Sequence, residues 1–226
     1  TIKRWWPELA WRTEVRGSFI DGGNHARGSA VAGALQRWLA RVAKAPLRVP
    51  IGVHTTARDP PAVRAIEAHC RRRGWVPVDV ERAVGDSRPG VGSAVDLVVR
   101  VYVRTPGEGD QPATWAPLPG VTLVEIKFSA DAAWDAPGPL LPRALTGMDS
   151  VRTTAAIYAA VQLQTTAALH RLSHPNDPIT GLAILHLYYS EGSRELRCDE
   201  NGLPPWTYSA AAPVIRASLA YLARNA

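Results

Sequence analysis

The stretch Val121-Thr-Leu-Val-Glu125-Ile-Lys127-Phe128 decides the fold, because it has the pattern of an apolar β-strand that carries two opposite charges. Side chains alternate along a strand, so Glu125 and Lys127 share one face. A carboxylate and an ammonium on a buried strand are costly unless they pair or take part in chemistry. Among 26 basic residues only Lys3, Lys44 and Lys127 are lysines. The strand therefore keeps a compact, titratable charge where this chain normally has arginine.

The flanking sequence predicts a sheet on the N-terminal side of this strand. Residues 75–84 alternate in polarity and residues 94–103 are rich in β-branched side chains, so both are predicted strands. Residues 105–120 contain Pro, Gly and Asp and are predicted to form an exposed hairpin loop. A further buried strand is predicted at 180–189, and a short one at 47–53.

Helical patterns surround these strands. Helices are predicted at 26–45 and, opened by Asp59-Pro-Pro-Ala, at 59–73, with Gly74 ending the second one. A long irregular loop at 129–149 precedes a helix that Ser150 caps and that runs to about residue 172, and a closing amphipathic helix is predicted at 210–224.

The order of these elements predicts a single α/β domain with a central mixed β-sheet flanked by helices. Its αβββαβ core occupies residues 59–190, preceded by a helical N-terminal extension at 1–58 and followed by a C-terminal helical segment at 191–226. We find no internal repeat and no clear linker.

Charge and cysteine content limit the class of protein. A formal charge of +6 and a pI near 9.7 favour an anionic partner, nucleic acid first, although a compositional bias toward Arg, Ala and Pro gives the same charge. Cys70 and Cys198 lack metal-ligand spacing, which predicts reduced thiols in the cytoplasm or nucleus. No apolar run approaches the ~20 residues of a membrane span, so we expect no membrane association.

Three charged residues on two strands predict a catalytic site. Asp96 lies in the strand before Glu125 and Lys127, and two neighbouring antiparallel strands can bring these side chains together. Two carboxylates are hard oxygen ligands for Mg²⁺ or Mn²⁺, and Lys127 would position water or neutralise developing charge. This chemistry indicates phosphodiester hydrolysis. The alternative is a buried Asp96–Lys127 ion pair without catalysis.

The run Gly92-Ser-Ala-Val-Asp96-Leu-Val, followed by Leu123-Val-Glu125-Ile-Lys127, resembles the PD-(D/E)XK, or restriction-endonuclease-like, nuclease superfamily. The resemblance covers about 130 residues and implies a core of helix, three strands, helix and strand. It departs from the family pattern in one place, because Val95 rather than proline precedes Asp96.

The resemblance implies further members of the site. Glu67 on the first core helix is the expected additional metal ligand, with Glu81 on the first strand as a rival and a solvated helix-face charge as the alternative. Gln162 and Gln164 lie about 200° apart on a helix, so only one can face the site. We favour Gln162, which shares a face with Tyr158. His25 matches an upstream histidine that binds metal in cap-snatching relatives, although a helix cap or surface residue is the simpler interpretation.

The sequence thus predicts a Mg²⁺- or Mn²⁺-dependent nuclease that acts on DNA in preference to RNA. Asp96, Glu125, Lys127 and Gln162 are the expected catalytic residues, and Asp96, Glu125 and Glu67 the expected metal ligands. The alternatives are an inactive nucleic-acid-binding or scaffold domain with the same fold, and an RNA endonuclease of the cap-snatching type.

The chain begins at Thr1 and contains only Met148 as methionine. This start is expected for a domain of a longer mobile-element or viral protein, and equally for a chain that has lost its initiator.

Overall fold

A computed structural model gives the fold of nine segments of the chain. The described residues are 22–44, 52–85, 92–107, 113–128, 134–138, 140, 152, 154–189 and 196–203. The helices are α1 (Gly22–Lys44), α2 (Pro61–Arg73) and α3 (Ala155–Ser173). The strands are β1 (Trp75–Gly85), β2 (Gly92–Thr105), β3 (Thr114–Pro117), β4 (Val121–Phe128), β5 (Ile179–Tyr189) and β6 (Leu196–Asn201).

The strands form one mixed sheet of six strands. Its order is β1-β2-β4-β5-β6, and β3 pairs with β2 outside this path. All pairs are antiparallel except β4 with β5, which are parallel and are connected through α3. Parallel neighbours need such a crossover connection. The predicted α/β class, with a central mixed sheet between helices, is confirmed.

The two faces of the sheet carry different helices. One apolar cluster joins α1 and α2 to the sheet through Trp38, Ile66, Leu97 and Val124. The other joins α3 to the opposite face through Leu163 and residues such as Leu123 and Ile184. Because β4 contributes Val124 to one cluster and Leu123 to the other, it is covered on both faces. This explains its nearly continuous apolar sequence.

The helix starts differ from the predicted ones. α2 begins at Pro61, and no side chain caps it. The Asp59 carboxylate instead accepts hydrogen bonds from the amide and hydroxyl of Thr56 and from Arg41, so it fixes the preceding loop. α3 begins at Ala155, where the Thr154 hydroxyl accepts the Ile157 amide at 3.1 Å and supplies the cap expected from Ser150.

Two strands were not predicted. β3 lies inside the predicted 105–120 loop, and β6 lies inside the segment predicted to be helical. Both are short and have no buried residue, and both form by pairing with the long strands β2 and β5 rather than from their own hydrophobic pattern. Among the predicted elements, the 210–224 helix, the Ser150 cap and residues 47–51 lie outside the described residues, while residues 52 and 53 form no strand.

No helix in the described segments is long and apolar enough to cross a membrane.

Candidate active site

The site forms where β2 and β4 separate. Their paired residues are 97–99 with 122–124, and Asp96 is the first β2 residue beyond this ladder. Its Oδ2 accepts the backbone amide of Ile126 at 2.7 Å. A side-chain carboxylate thus continues the contact between the strands after backbone pairing has ended, and Asp96 is held next to the Glu125–Lys127 segment.

Glu125, Lys127 and Gln162 form a closed set of hydrogen bonds. The Glu125 Oε1 accepts the Lys127 Nζ at 2.5 Å and the Gln162 Nε2 at 2.6 Å. The Lys127 Nζ also donates to the Gln162 Oε1 at 3.1 Å. Strand alternation places the two β4 side chains on one face, and α3 packs Gln162 against that face. It is therefore Gln162, rather than Gln164, whose side chain joins the pair.

The second oxygen of Glu125 has no partner. Glu125 is 1% exposed, and its Oε2 is buried without a hydrogen bond. In the described part of the chain, the other buried side-chain atoms of this kind are nitrogens, in His69, His170 and Asn201. An unsatisfied buried carboxylate oxygen is costly. A carboxylate oxygen is a hard ligand, so this atom fits the predicted divalent ion.

The charges in the site perturb each other. Burial raises the pKa of Glu125 to about 7; the Lys127 ammonium opposes this rise and the Asp96 carboxylate adds to it. Burial also raises the pKa of Asp96, against the opposing effects of the Ile126 amide and Lys127. For Lys127, burial lowers the pKa, but the neighbouring Glu125 and Asp96 carboxylates raise it further than burial lowers it. Both acids therefore hold protons more tightly than usual, chiefly because burial removes water from their charged forms.

Glu67 lies in a different environment from the one predicted. Its carboxylate accepts the Trp38 Nε1 at 2.9 Å, the His54 amide at 2.6 Å and the Thr55 hydroxyl at 2.5 Å. These donors belong to α1 and to the segment before α2, on the sheet face opposite α3. The structure thus does not bring Glu67 to the three site residues. It is not a solvated charge either, since it is 2% exposed and anchors buried structure.

Glu81 and Tyr158 are the additional neighbours of the site. Glu81 is exposed, but partial burial of its carboxyl group, together with the Asp96 charge, raises its pKa. Tyr158 precedes Gln162 by one turn of α3; burial raises its pKa, the Lys127 charge lowers it and the Glu125 charge raises it. The sequence signal for Tyr158 is its position four residues, or about one helical turn, before Gln162. His25 lies in α1, and its side chain is outside the described residues.

The residues present suit a cation that keeps part of its water shell. No group of three or more His, Cys, Asp or Glu side chains is arranged to hold a metal ion in the segments described above. Asp96 and Glu125 supply two carboxylates on neighbouring strands, and Mg²⁺ is commonly held by one or two carboxylates when water and substrate phosphate supply its other ligands.

No protein-family model matches this chain and no curated protein is significantly similar to it, so its function is inferred from the residues of the site.

Proposed function

We propose that this protein is a Mg²⁺- or Mn²⁺-dependent nuclease that hydrolyses phosphodiester bonds, with DNA as the first candidate substrate. The observation that supports this most directly is the buried carboxylate of Glu125. Its Oε1 is bound by Lys127 and Gln162, while its Oε2 has no hydrogen-bond partner. The order helix, three long strands, helix, strand, with Asp96 and Glu125 on neighbouring strands, also agrees with a restriction-endonuclease-like core.

Asp96 and Glu125 would hold the cation. When bound, Mg²⁺ polarises the phosphate and makes a water molecule more acidic. The Lys127 side chain remains 28% exposed although its ammonium contacts Glu125, so it can reach a bound phosphate. Its positive charge would neutralise the charge that develops on the phosphate oxygens during hydrolysis. Gln162 holds both Glu125 and Lys127, which fixes the distance between the cation ligand and the ammonium.

The surface charge is compatible with a polyanionic substrate. The net charge is +6, and the last turn of α2 carries three exposed arginines, Arg71, Arg72 and Arg73. Arg73 is paired with Glu200 at 2.8 Å, which leaves Arg71 and Arg72 as the better candidates for phosphate contacts. Such contacts would bind nucleic acid without selecting its sequence.

Cleavage assays test this proposal. Single- and double-stranded DNA and RNA are incubated with the protein in Mg²⁺, Mn²⁺ or EDTA, beside the variants Asp96→Asn and Lys127→Ala. We expect cleavage that EDTA abolishes and that each variant reduces by at least about 100-fold. Lys44→Ala is the matched control, because it removes an exposed lysine at the end of α1 and should cleave as the wild type does.

Other outcomes separate the alternatives. Cleavage that survives both Asp96→Asn and Lys127→Ala would show that the site lies elsewhere. Binding of nucleic acid without cleavage under any metal condition would favour the non-catalytic domain, in which Glu125–Lys127 is a structural ion pair. Cleavage of RNA alone would favour the RNA endonuclease alternative.

A further inference from the structure

β1 and β2 change the direction of their side chains at the same place. On β2, Val95 packs in the cluster beneath α3, whereas Leu97 packs in the cluster beneath α1 and α2. On β1, Val84 packs in the cluster beneath α3, whereas Val80 packs in the cluster beneath α1 and α2. Residues two or four positions apart on a regular strand share a face. The alternation is therefore broken in both strands, at Asp96 in β2 and between Val80 and Val84 in β1.

The break in β1 lies at Glu81. Glu81 has a φ of 55°, and it is the only residue other than glycine with a positive φ in the described segments. A side chain at this φ costs conformational energy that glycine avoids. Such strain persists where the surrounding structure imposes it and is common at functional sites. The change of side-chain direction in β1 alone would favour glycine at this position, so the presence of glutamate indicates that its side chain has a function.

Strand register places Glu81 beside Asp96. The Cα pairs Val80–Leu97 and Arg82–Val95 lie on either side, so Glu81 faces Asp96 across the ladder. Asp96 in turn lies one step beyond the Leu97–Val124 pair, next to Glu125. The three carboxylates thus follow one another across three adjacent strands. Glu125 contributes the buried oxygen without a partner, and both Asp96 and Glu81 raise the pKa of Glu125.

Lys127 alone cannot balance this row of charges. When all three carboxylates are ionised, they and the one ammonium leave two negative charges, which is the charge that one divalent cation neutralises. Glu81 is exposed, and in the described part of the chain no Lys, Arg or His forms an ion pair with it. No three acidic, histidine or cysteine groups of the described segments are arranged to ligate one ion directly. A cation shared by the three would therefore contact at least one of them through water, and Glu81 is the exposed one.

We propose that Glu81 is the third carboxylate of the cation site and that it binds the cation through the water molecules the ion retains. This rests on the cation of the proposed function. Mg²⁺ gives up its water reluctantly and is commonly held by one or two carboxylates directly. Carboxylates that hydrogen-bond to the remaining ligands orient them and contribute to metal affinity. Glu81 is thus a positioning residue, and strand register places it next to Asp96.

Calorimetric titration of the whole chain with Mn²⁺ at pH 8 tests this role. We expect Glu81→Gln and Glu81→Gly to weaken Mn²⁺ binding by about 10- to 100-fold. Glu81→Gly should unfold at the same temperature as the wild type or a higher one, because glycine relieves the positive φ. The control is Glu200→Gln, which removes a carboxylate paired with His69 and Arg73 at the α2 side of the sheet and should bind Mn²⁺ within twofold of the wild type.

The outcomes distinguish this inference from the proposed function. Wild-type affinity in Glu81→Gln, with binding lost in Asp96→Asn, would overturn the role of Glu81 and leave the nuclease proposal intact. Equal weakening in Glu81→Gln and Glu200→Gln would also overturn it, because the effect would then be one of net charge. Absence of Mn²⁺ binding by the wild type, or binding that persists in Asp96→Asn, would refute both.

Discussion

Replacement of Glu125 by glutamine measures the electrostatic cost of the site. Burial and the nearby Asp96 raise the pKa of Glu125 from 4.5 in an unfolded chain to about 7. One pKa unit corresponds to about 1.4 kcal/mol, so ionisation of Glu125 costs the folded state about 3 kcal/mol. Glutamine has the same shape and does not titrate. The free energy of unfolding of Glu125→Gln should therefore lack this dependence on pH.

The sign of the effect follows from proton binding. Between pH 4.5 and about 7 the folded wild type holds a proton on Glu125 that the unfolded chain has released. The free energy of unfolding must then fall as the pH rises through this range and become level above it. Relative to the wild type, Glu125→Gln should gain about 3 kcal/mol between pH 4 and pH 8.

Urea denaturation followed by tryptophan fluorescence at pH 4, 5, 6, 7 and 8 provides the measurement. Burial lowers the pKa of His69 and of His170, and both histidines titrate in either protein, so their contributions cancel in the difference. Loss of the ion pair between Glu125 and Lys127 changes the free energy of unfolding of the variant by a similar amount at every pH. It therefore hardly alters the slope of that free energy against pH. Parallel pH profiles, differing by less than about 0.5 kcal/mol over this range, would refute the assignment of a raised pKa to Glu125.

Three further substitutions test other features of the fold and site. Gln162→Ala should lower kcat of the proposed nuclease by roughly 10- to 100-fold with little change in stability, because it releases Glu125 and Lys127; unchanged kcat would assign Gln162 to packing alone. Glu67→Ala should reduce the free energy of unfolding in urea by about 2–4 kcal/mol, since it leaves buried donors unpaired. It should preserve Mn²⁺ affinity, and a loss of affinity would restore Glu67 as a ligand. Gly120→Ala should cost about 2 kcal/mol or more in the same urea assay, because its φ is +77° and a Cβ would lie 2.2 Å from the Pro178 carbonyl oxygen; wild-type stability would show that the turn relaxes.

The sequence predicted the three helices and four long strands that the structure describes, and the proximity of Asp96, Glu125, Lys127 and Gln162, but not the position of Glu67. Alternation along β4 predicts that Glu125 and Lys127 share a face, and the structure places both beside Gln162. The shared face of Glu125 and Lys127 depends on periodicity within one strand, which is a local property of the chain, whereas Gln162 was expected from the family resemblance.

Features that depend on contacts between distant segments could not be predicted. The sequence around Glu67 resembles an ordinary amphipathic helix, and only the folded chain brings Trp38 and the His54–Thr55 amides to its carboxylate. β6 acquires its conformation from pairing with β5. The positive φ of Glu81 has no local signal, because glycine rather than glutamate is the residue that usually marks such a backbone.

The position of β1 has a consequence for self-association. Among the strands described, β1 is an edge strand of the sheet and pairs only with β2. An uncovered edge strand can pair with a second molecule and lead to aggregation, which proteins prevent with proline, irregular register and charge. β1 contains Pro77, a register shift between Pro77 and Asp79, and the charged residues that follow it. Proline, irregular register and charge, Glu81 included, thus make this edge strand a poor template for another chain.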